Sequence, residues 1–467
     1  MMHTMKISLA TLTQKIDETV TIEGWVNRMR THPNVVFMDI RDTSAVLQTA
    51  GDPAVLPDDI GLEDLLEITG KIVKRGERFV NADQPLGEIE LQITEVKIVS
   101  KSPIPPFALN VSTADIDEAL RLKYRYLDLR SERMRDNIIL RHKLSQAFRA
   151  YFNDNDFIEV ETPVLTKGTP EGAREFVVPS RLYHGKGYVL PQSPQQFKQL
   201  LMMSGIEKYY QFARCFRDED SRKDRQPEFT QIDVEMSFVD HTDVMHILES
   251  AVRQVIEQVA PGKKMPEGAF PIMTHAEAMS KYDSDKPDVR KNPEDPDELA
   301  FLWVIDFPMF ERDEDTGKLN AMHHPFTMPD IKDISELDQS EDKLLALKTN
   351  AYDLVLNGYE IAGGSIRISS AELQHKILEV LGVDEEDIKA RFGHLLEALT
   401  FSPPPHGGFA LGFDRLVAVL ANESSIREVM AFPKTGESKD LMMGAPSEMP
   451  DAVLKNVGMK SVDIKKK

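Results

Sequence analysis

In the first hundred residues, apolar positions recur at every second residue, in short runs broken by turn-forming residues. VTIEGWVNRMR, VVFMDIRD, AVLQTA, LLEITGKIVKR and EIELQITEVKIV fit about five strands, and strands so spaced predict a small barrel. An ordinary β-domain without a ligand has the same pattern. The proline-rich SPIPPF, Ser102 to Phe107, ends this region, so residues 1–105 are expected to form one domain and 106–130 a hinge. From Asp128 to Asn155 the period lengthens to that of a helix, with Leu140, Leu144, Ala147, Phe148 and Tyr151 on one face. Strand and helix patterns then continue through 131–447, read as a second domain, and 448–467 closes the chain as a basic-ended tail. Within the second domain, DSDKPDVRKNPEDPDE at 283–298 is nearly all charge and proline and reads as an exposed connection.

Four segments carry candidate chemistry. In YDLVLNGYEIAGGSIRI, Asn357-Gly358 is a two-residue turn signal requiring positive φ at both positions. Pairing outward sets Leu356 opposite Tyr359 and Val355 opposite Glu360, so Asp353 shares a face with Glu360 as a diagonal neighbour about 7–8 Å away. Two carboxylates with no cation between them suit Mg²⁺ and nucleotide phosphates; from the hairpin alone, a solvated acidic face is the more ordinary reading. In FARCFRDEDSRKDRQPEFTQIDVEMSF, two strands flank a charged loop. Phe229, Gln231, Asp233 and Glu235 form a mostly polar face opposite Thr230, Ile232, Val234 and Met236, as for a sheet half core and half binding site. Arg217 and Arg225 flank the loop with guanidinium forks matched to phosphate or carboxylate oxygens. QSPQQFKQLLMMSG reads as a helix with Ser193 as N-cap, Pro194 next and Gln196 completing a capping box; Gln195 and Lys198 share a face. HGGFALGFDRLVAVLA joins a glycine-rich strand to a helix, with Gly412 at the junction and Arg415 near the helix start.

Composition narrows the class without deciding the partner. The 467 residues are 41% apolar and 28% charged, with no apolar run approaching the roughly 20 residues of a membrane helix. No secretory signal is expected from MMHTMKISLA, and the single cysteine, Cys215, excludes an internal disulfide and a cysteine-rich zinc site. A cytoplasmic enzyme fits. The net charge of −21 speaks against nucleic acid at face value, yet 56 Lys and Arg suffice for local basic patches.

Taken together these segments resemble the aspartyl-tRNA synthetases of bacterial type, within the class II ligases. Motif 1 resembles the long helix plus FIEVETPVL ending in Pro163. Motif 2 resembles QFARCFRDED through RQPEFTQIDVEMSF, and motif 3 resembles GGFALGFDRLVAVL. YRYLDLRS, TKGTPEGAREF, LPQSPQQFKQLLM and FPKTGESKDLMMGAPSE extend the similarity over nearly the whole chain. The implied fold is α+β: an N-terminal OB-fold barrel plus an antiparallel catalytic sheet flanked by helices, in a homodimer built through motif 1. The implied reaction is ATP-dependent activation of L-aspartate with Mg²⁺ and transfer to the 3′ end of tRNA(Asp).

The resemblance also implies roles. Arg217, Lys198, Asp233 and Arg367 are the catalytic set. Lys198 and Arg367 would hold the aspartate side chain, and Asp233, Glu171, Ser193 and Gln195 its amino end. Arg217 would meet the reacting carboxylate and α-phosphate, and Phe229 and Arg415 would sandwich adenine. Glu219, Arg225, Gln231 and Gly412 are further ATP or substrate contacts, and His323 and His324 lie in a substrate loop. Asp353 and Glu360 match the magnesium carboxylates. In the barrel, Arg28, Phe37, Gln48, Arg75, Glu77 and Glu90 match anticodon-reading positions, although a buried core phenylalanine explains Phe37 equally well. Strand parity sets Arg367 on the face opposite Glu360, a conflict that a bulge at Gly363-Gly364 would remove. The chain also departs from bacterial members in having only 283–298 where they carry an extra domain.

Asparaginyl or lysyl relatives are the nearest rivals, but two cations at 198 and 367 suit an anionic side chain rather than an amide or ammonium. A catalytically inactive RNA-binding paralogue conflicts with the intact motifs, and an aspartate–ammonia ligase leaves the barrel unexplained. His32 occupies a barrel position linked in the family to tolerance of tRNA(Asn), and Arg78 favours neither type.

Overall fold

In the computed structural model, residues 7–460 are described except 83, 169–171 and 314–316. The chain divides into two compact units, 1–136 and 137–467. The first holds five strands: β1 (Thr19–His32), β2 (Val35–Arg41), β3 (Val46–Gly51), β4 (Leu65–Lys74) and β5 (Ile89–Ser100). They close in the order β1-β2-β3-β5-β4, the small barrel expected from the alternation. Val36, Met38 and Ile40 point into the barrel core, which leaves Phe37 half-buried on the outer face rather than in the core. After the barrel come α1 (Glu118–Lys123) and α2 (Arg125–Asp128). Here the fully buried Asp128 accepts from Thr113 Oγ at 2.6 Å and from the Arg125 guanidinium at 2.7 Å.

The long helix α3 (Glu132–Asp154) leads into the second unit, followed by β6 (Ile158–Glu159) and a two-stranded ribbon of β7 (Val177–Pro179) and β8 (Gly187–Val189). Next come α4 (Gln195–Met203), β9 (Lys208–Phe216), β10 (Glu228–Ser237) and α5 (His241–Val259). Then follow β11 (Ile272–Thr274), β12 (Phe301–Ile305), the small ribbon β13 (Phe310–Arg312) and β14 (Leu319–Ala321), the hairpin β15 (Ala351–Leu356) and β16 (Tyr359–Ile366), and β17 (His406–Gly412). Eight of these strands form one sheet in the order β11-β12-β15-β16-β17-β10-β9-β6, antiparallel except at its two edges. Ile232, Val234 and Leu411 on one face pack with Phe148 and Phe152 of α3, Val252 of α5 and Val417 of the helix Phe413–Leu420. That apolar layer leaves the opposite face free for polar groups.

Two local expectations are corrected. Pro194, not Ser193, is the N-cap of α4, and Gln196 forms no capping box. Ser193 Oγ instead accepts from the Gln195 amide at 3.2 Å, because the proline fixes the turn one residue later. The β15–β16 hairpin pairs as read from its turn, Leu356 with Tyr359 and Val355 with Glu360, with positive φ at Asn357 and Gly358. The bulge, however, is at Ile361, between the Val355–Glu360 and Leu354–Ala362 pairs, not at Gly363-Gly364. One extra residue there shifts side-chain parity, so Gly363, Ser365 and Arg367 come to the face that Glu360 occupies.

Candidate active site

The polar face of the large sheet forms the floor of a cavity of about 330 Å³. Alternation brings Phe229, Gln231 and Asp233 from β10, Gly363 from β16, and Ala410 and Gly412 from β17 to it, and Lys198 from α4 and Arg415 from the helix Phe413–Leu420 add to its lining. At its deep end lie four buried charges. Lys198 Nζ is 2.9 Å from Asp233 Oδ1 and 3.3 Å from Glu235 Oε2. Arg367 donates from Nε to Glu235 Oε1 at 2.9 Å and from a terminal nitrogen to Oε2 at 3.1 Å. Its other terminal nitrogen donates to Ser365 Oγ and to His324 Nε2, each at 2.7 Å.

The neighbouring cations set the two buried acids apart electrostatically, since burial raises both. Burial dominates at Asp233, whose carboxyl titrates above the usual range despite Lys198. At Glu235 burial acts in the same sense, but Arg367 and Lys198 overcome it and hold the group ionised. The Lys198 ammonium lies close to Asp233 Oδ1 but off the line of a hydrogen bond, so that buried oxygen has no hydrogen-bond partner. Burial and then the charge of Arg367 lower both histidines, His323 to about 4 and His324 well below its ordinary value, so each is neutral at pH 7.

At the other side, Asp353 Oδ1 and Glu360 Oε1 overhang Gly363, where a methyl group would lie 2.8 Å and 3.4 Å from them. Asp353 is raised well above an ordinary aspartate by burial and then by Glu360, and its Oδ1 has no hydrogen-bond partner. An orphaned buried oxygen beside a second carboxylate fits a divalent cation. Among the described residues no group of three His, Cys, Asp or Glu side chains could hold a metal, so phosphate oxygens and water would complete the shell.

Above the floor, the Arg217 guanidinium lies over the Phe229 ring, 5.2 Å from its centroid. Arg415, expected to sandwich adenine with Phe229, also lines the cavity, donating to the Glu360 carbonyl at 2.8 Å and pairing with Asp224 at 3.3 Å. Glu219 pairs with Arg225 at 3.2 Å in the loop between β9 and β10. Ser193, Gln195, His323 and His324 all line the cavity, whereas Glu171 lies outside the described residues. Two groups escaped sequence reasoning. Asp224 had no signal beyond a charged loop, but Glu235 was marked by its place on the alternating polar face of β10.

On the barrel's outer face, Gln48 donates to Glu90 at 3.1 Å and accepts from Arg30 at 3.1 Å, and Arg30 covers Phe37 at 5.9 Å from its ring centroid. Arg75 stands in the field of Glu90 and Asp39, with burial lowering it first. Phe37, Gln48, Arg75 and Glu90 are thus brought together. Arg28 and Glu77 are exposed nearby in sequence, on β1 and in a short 3₁₀ turn after β4.

Residues 117–436 match the class II tRNA synthetases (D, K and N), and residues 20–99 match the OB-fold nucleic acid binding domain. The chain belongs to the class II tRNA synthetases of this D, K and N group. Among relatives with an assigned activity, an aspartate–tRNA ligase of Staphylococcus aureus (strain NCTC 8325 / PS 47) is 37% identical, covering 95% of this chain and 97% of the relative. That match runs over 575 positions, more than the 467 residues here, so more than a hundred positions of the relative have no counterpart. Solved structures share the fold. An aspartyl-tRNA synthetase from Entamoeba histolytica is 22% identical with a TM-score of 0.70, covering 92% of this chain and 91% of its own. The asparaginyl-tRNA synthetase from Pyrococcus horikoshii complexed with asparaginyl-adenylate is 22% identical with a TM-score of 0.71, covering 92% and 98%. Fold alone therefore does not separate aspartate from asparagine.

Proposed function

We propose that the protein is an aspartate–tRNA ligase: it joins L-aspartate to ATP as aspartyl-adenylate, releasing pyrophosphate, and transfers the aspartyl group to the 3′ end of tRNA(Asp), releasing AMP. The observation that carries this reading is the deep end of the cavity, where Lys198 and Arg367 present only N–H donors at one buried place. Those two side chains match a carboxylate and offer no acceptor of their own to an amide NH₂. Asp233, Ser193 and Gln195 line the same end and suit the substrate's ammonium; Glu171 joins them by resemblance.

In this reading Arg217 draws together the α-carboxylate and the α-phosphate. Carboxylate oxygen attacks phosphorus, the bond to pyrophosphate breaks, and the guanidinium stabilises charge gathering on the phosphoryl oxygens. Phe229 and Arg415 sandwich adenine beside Gly412. Glu219, Arg225 and Gln231 extend the ATP side, and His323 and His324 close the aspartate side as neutral rings. Asp353 and Glu360 would hold Mg²⁺, which when bound neutralises phosphate charge. A terminal ribose hydroxyl then attacks the mixed anhydride and AMP leaves.

The barrel serves as anticodon reader: Phe37 stacks an unpaired base while Gln48, Glu90, Arg75, Arg28 and Glu77 meet base edges and phosphates. On this reading residues 1–105 form the anticodon-binding domain, 106–130 the hinge, 131–447 the catalytic domain and 448–467 a tail. Exposed Ile158, Val164 and Leu165 on the motif 1 segment support a homodimer built there. No helix of the described residues is long and apolar enough to cross a membrane, and a cytoplasmic site of action is part of the proposal. The test is ATP–pyrophosphate exchange with aspartate, asparagine and lysine in turn, followed by charging of purified tRNA(Asp). Exchange driven by asparagine or lysine in preference to aspartate would refute it.

A second reading concerns tRNA(Asn). His32 is exposed at the end of β1 and meets Phe37 edge-on, with ring centroids 5.9 Å apart. An imidazole there donates or accepts a hydrogen bond as the base requires, so the enzyme also aspartylates tRNA(Asn). Charging of that tRNA by the purified protein checks this.

A further inference from the structure

We propose that Glu235 is a positioning residue for amino-acid selectivity: one buried carboxylate that bridges Lys198 and Arg367 and so holds the two cations aimed at the substrate's side chain. The inference rests on the reading of the cavity as an aspartate site. It starts from a contrast. Lys198, Arg367 and Asp233 line the cavity, whereas Glu235 does not and has no solvent exposure. It acts, therefore, through the groups it touches.

Those contacts account for both cations at once. Oε1 takes Arg367 Nε at 2.9 Å, while Oε2 takes the Arg367 terminal nitrogen at 3.1 Å and stands 3.3 Å from Lys198 Nζ. Ser365 and His324 hold the guanidinium from the other side, so its plane is fixed. Two like charges brought together away from water repel, and each needs a counter-charge to stay buried. Asp233 alone reaches only Lys198, and its own carboxyl is pushed up by burial. Glu235 is the group that compensates the buried charge of Arg367 and holds it in register with Lys198 before the substrate arrives. Space for it comes from Gly408 on β17, where a methyl group would lie 2.2 Å from Oε2 and 2.0 Å from the Val234 carbonyl.

With Glu235 in place every group facing the substrate's side chain at 198 and 367 is a donor, and an amide is rejected. Without its charge Arg367 loses a two-point clamp, the pair separates, and room appears for a neutral amide. The experiment measures pyrophosphate exchange by wild type, Glu235→Gln and Glu235→Asp with aspartate and with asparagine, recording KM for aspartate, KM for ATP and kcat. Glu235→Gln should raise KM for aspartate by about tenfold or more and lower the aspartate-to-asparagine ratio of kcat/KM at least as much, with KM for ATP within about twofold. Glu235→Asp restores the charge but reaches one cation rather than both, so its ratio should fall between the two. Wild-type values in Glu235→Gln would make Glu235 a packing residue only, and a lowered KM would show that it competes with the substrate for the cations; either overturns the proposal. Should Glu235→Gln fail to fold, a wild-type ratio in Glu235→Asp does the same. A wild type inactive with aspartate would overturn the site reading instead, and that is read on the unmutated protein.

Discussion

The outer face of the barrel and the deep end of the cavity both gather charged and aromatic side chains, but they hold them differently. At the deep end of the cavity and just beneath it, Lys198, Asp233, Glu235 and Arg367 are buried and linked to one another by contacts of 2.9–3.3 Å. On the barrel, Arg28, Arg30 and His32 are exposed, and the contacts around them are hydrogen bonds at 3.1 Å, an ion pair at 3.7 Å and ring contacts near 6 Å. The difference follows from what each receives. A small ion selected against its own amide needs fixed donors in a dry place, where a mismatch is expensive. An unpaired RNA loop brings its own shape and water, and exposed side chains adapt to it. Damage should therefore be severe and local in the cavity and graded on the barrel.

The largest effect is expected from Glu360→Ala, which removes one of two carboxylates at Gly363. Exchange should drop below detection, a loss of at least about a thousandfold, while circular dichroism and melting stay near wild type. Activity at ordinary Mg²⁺ would disprove the carboxylate-pair assignment. Lys198→Leu comes next: a carboxylate left without one buried cationic partner loses roughly 3–5 kcal/mol, so aspartate-dependent exchange should fall by at least about a hundredfold. Phe37→Ala should leave exchange untouched and raise KM for tRNA(Asp) by about tenfold, as expected for one lost stacking contact worth about 1–3 kcal/mol. Unchanged charging would remove Phe37 from the interface.

Smaller shifts sharpen the same contrast. His324 is a half-buried, neutral ring on the cavity wall, its pKa depressed in the folded protein by desolvation and by Arg367. The unfolded chain takes up a proton at this residue near pH 6.5 and the folded protein does not. The stabilising contribution is thus full above that pH and is lost as pH falls below it, at up to about 1.4 kcal/mol per pH unit. Melting curves from pH 7.5 to 5 should fall less steeply for His324→Gln than for wild type; parallel curves would contradict a neutral half-buried ring. The smallest effect is expected at His32: His32→Leu should shift charging several-fold toward tRNA(Asp) over tRNA(Asn), in keeping with about 1 kcal/mol for one exposed contact. An unchanged ratio would leave His32 a solvated end of a strand.

How much of this was legible in sequence follows from the same physics. Period-two alternation announced the five barrel strands, and Asn357-Gly358 set the hairpin register because few residues adopt the φ that turn needs. The site residues gathered in the cavity stand on strands whose polar faces were visible, Phe229 to Glu235 above all. The bulge at Ile361 was not visible, since an extra residue in a strand leaves no compositional mark. Gly363 and Gly364 suggested it, but their purpose is room: a methyl on Gly364 would meet the Gly408 carbonyl at 2.2 Å. Nor was the internal pairing of Lys198 and Arg367 with carboxylates, because which of several acids on a face reaches which cation is decided by packing in three dimensions.

The central claim is that a buried, donor-only cation pair selects aspartate. It is tested most directly by initial rates of ATP–pyrophosphate exchange with L-aspartate and L-asparagine on the same wild-type preparation. A ratio of kcat/KM of about 10⁴ or more in favour of aspartate is predicted, the range reached when a site's buried polar groups are left unpaired by the wrong substrate. Comparable rates with the two amino acids would contradict it.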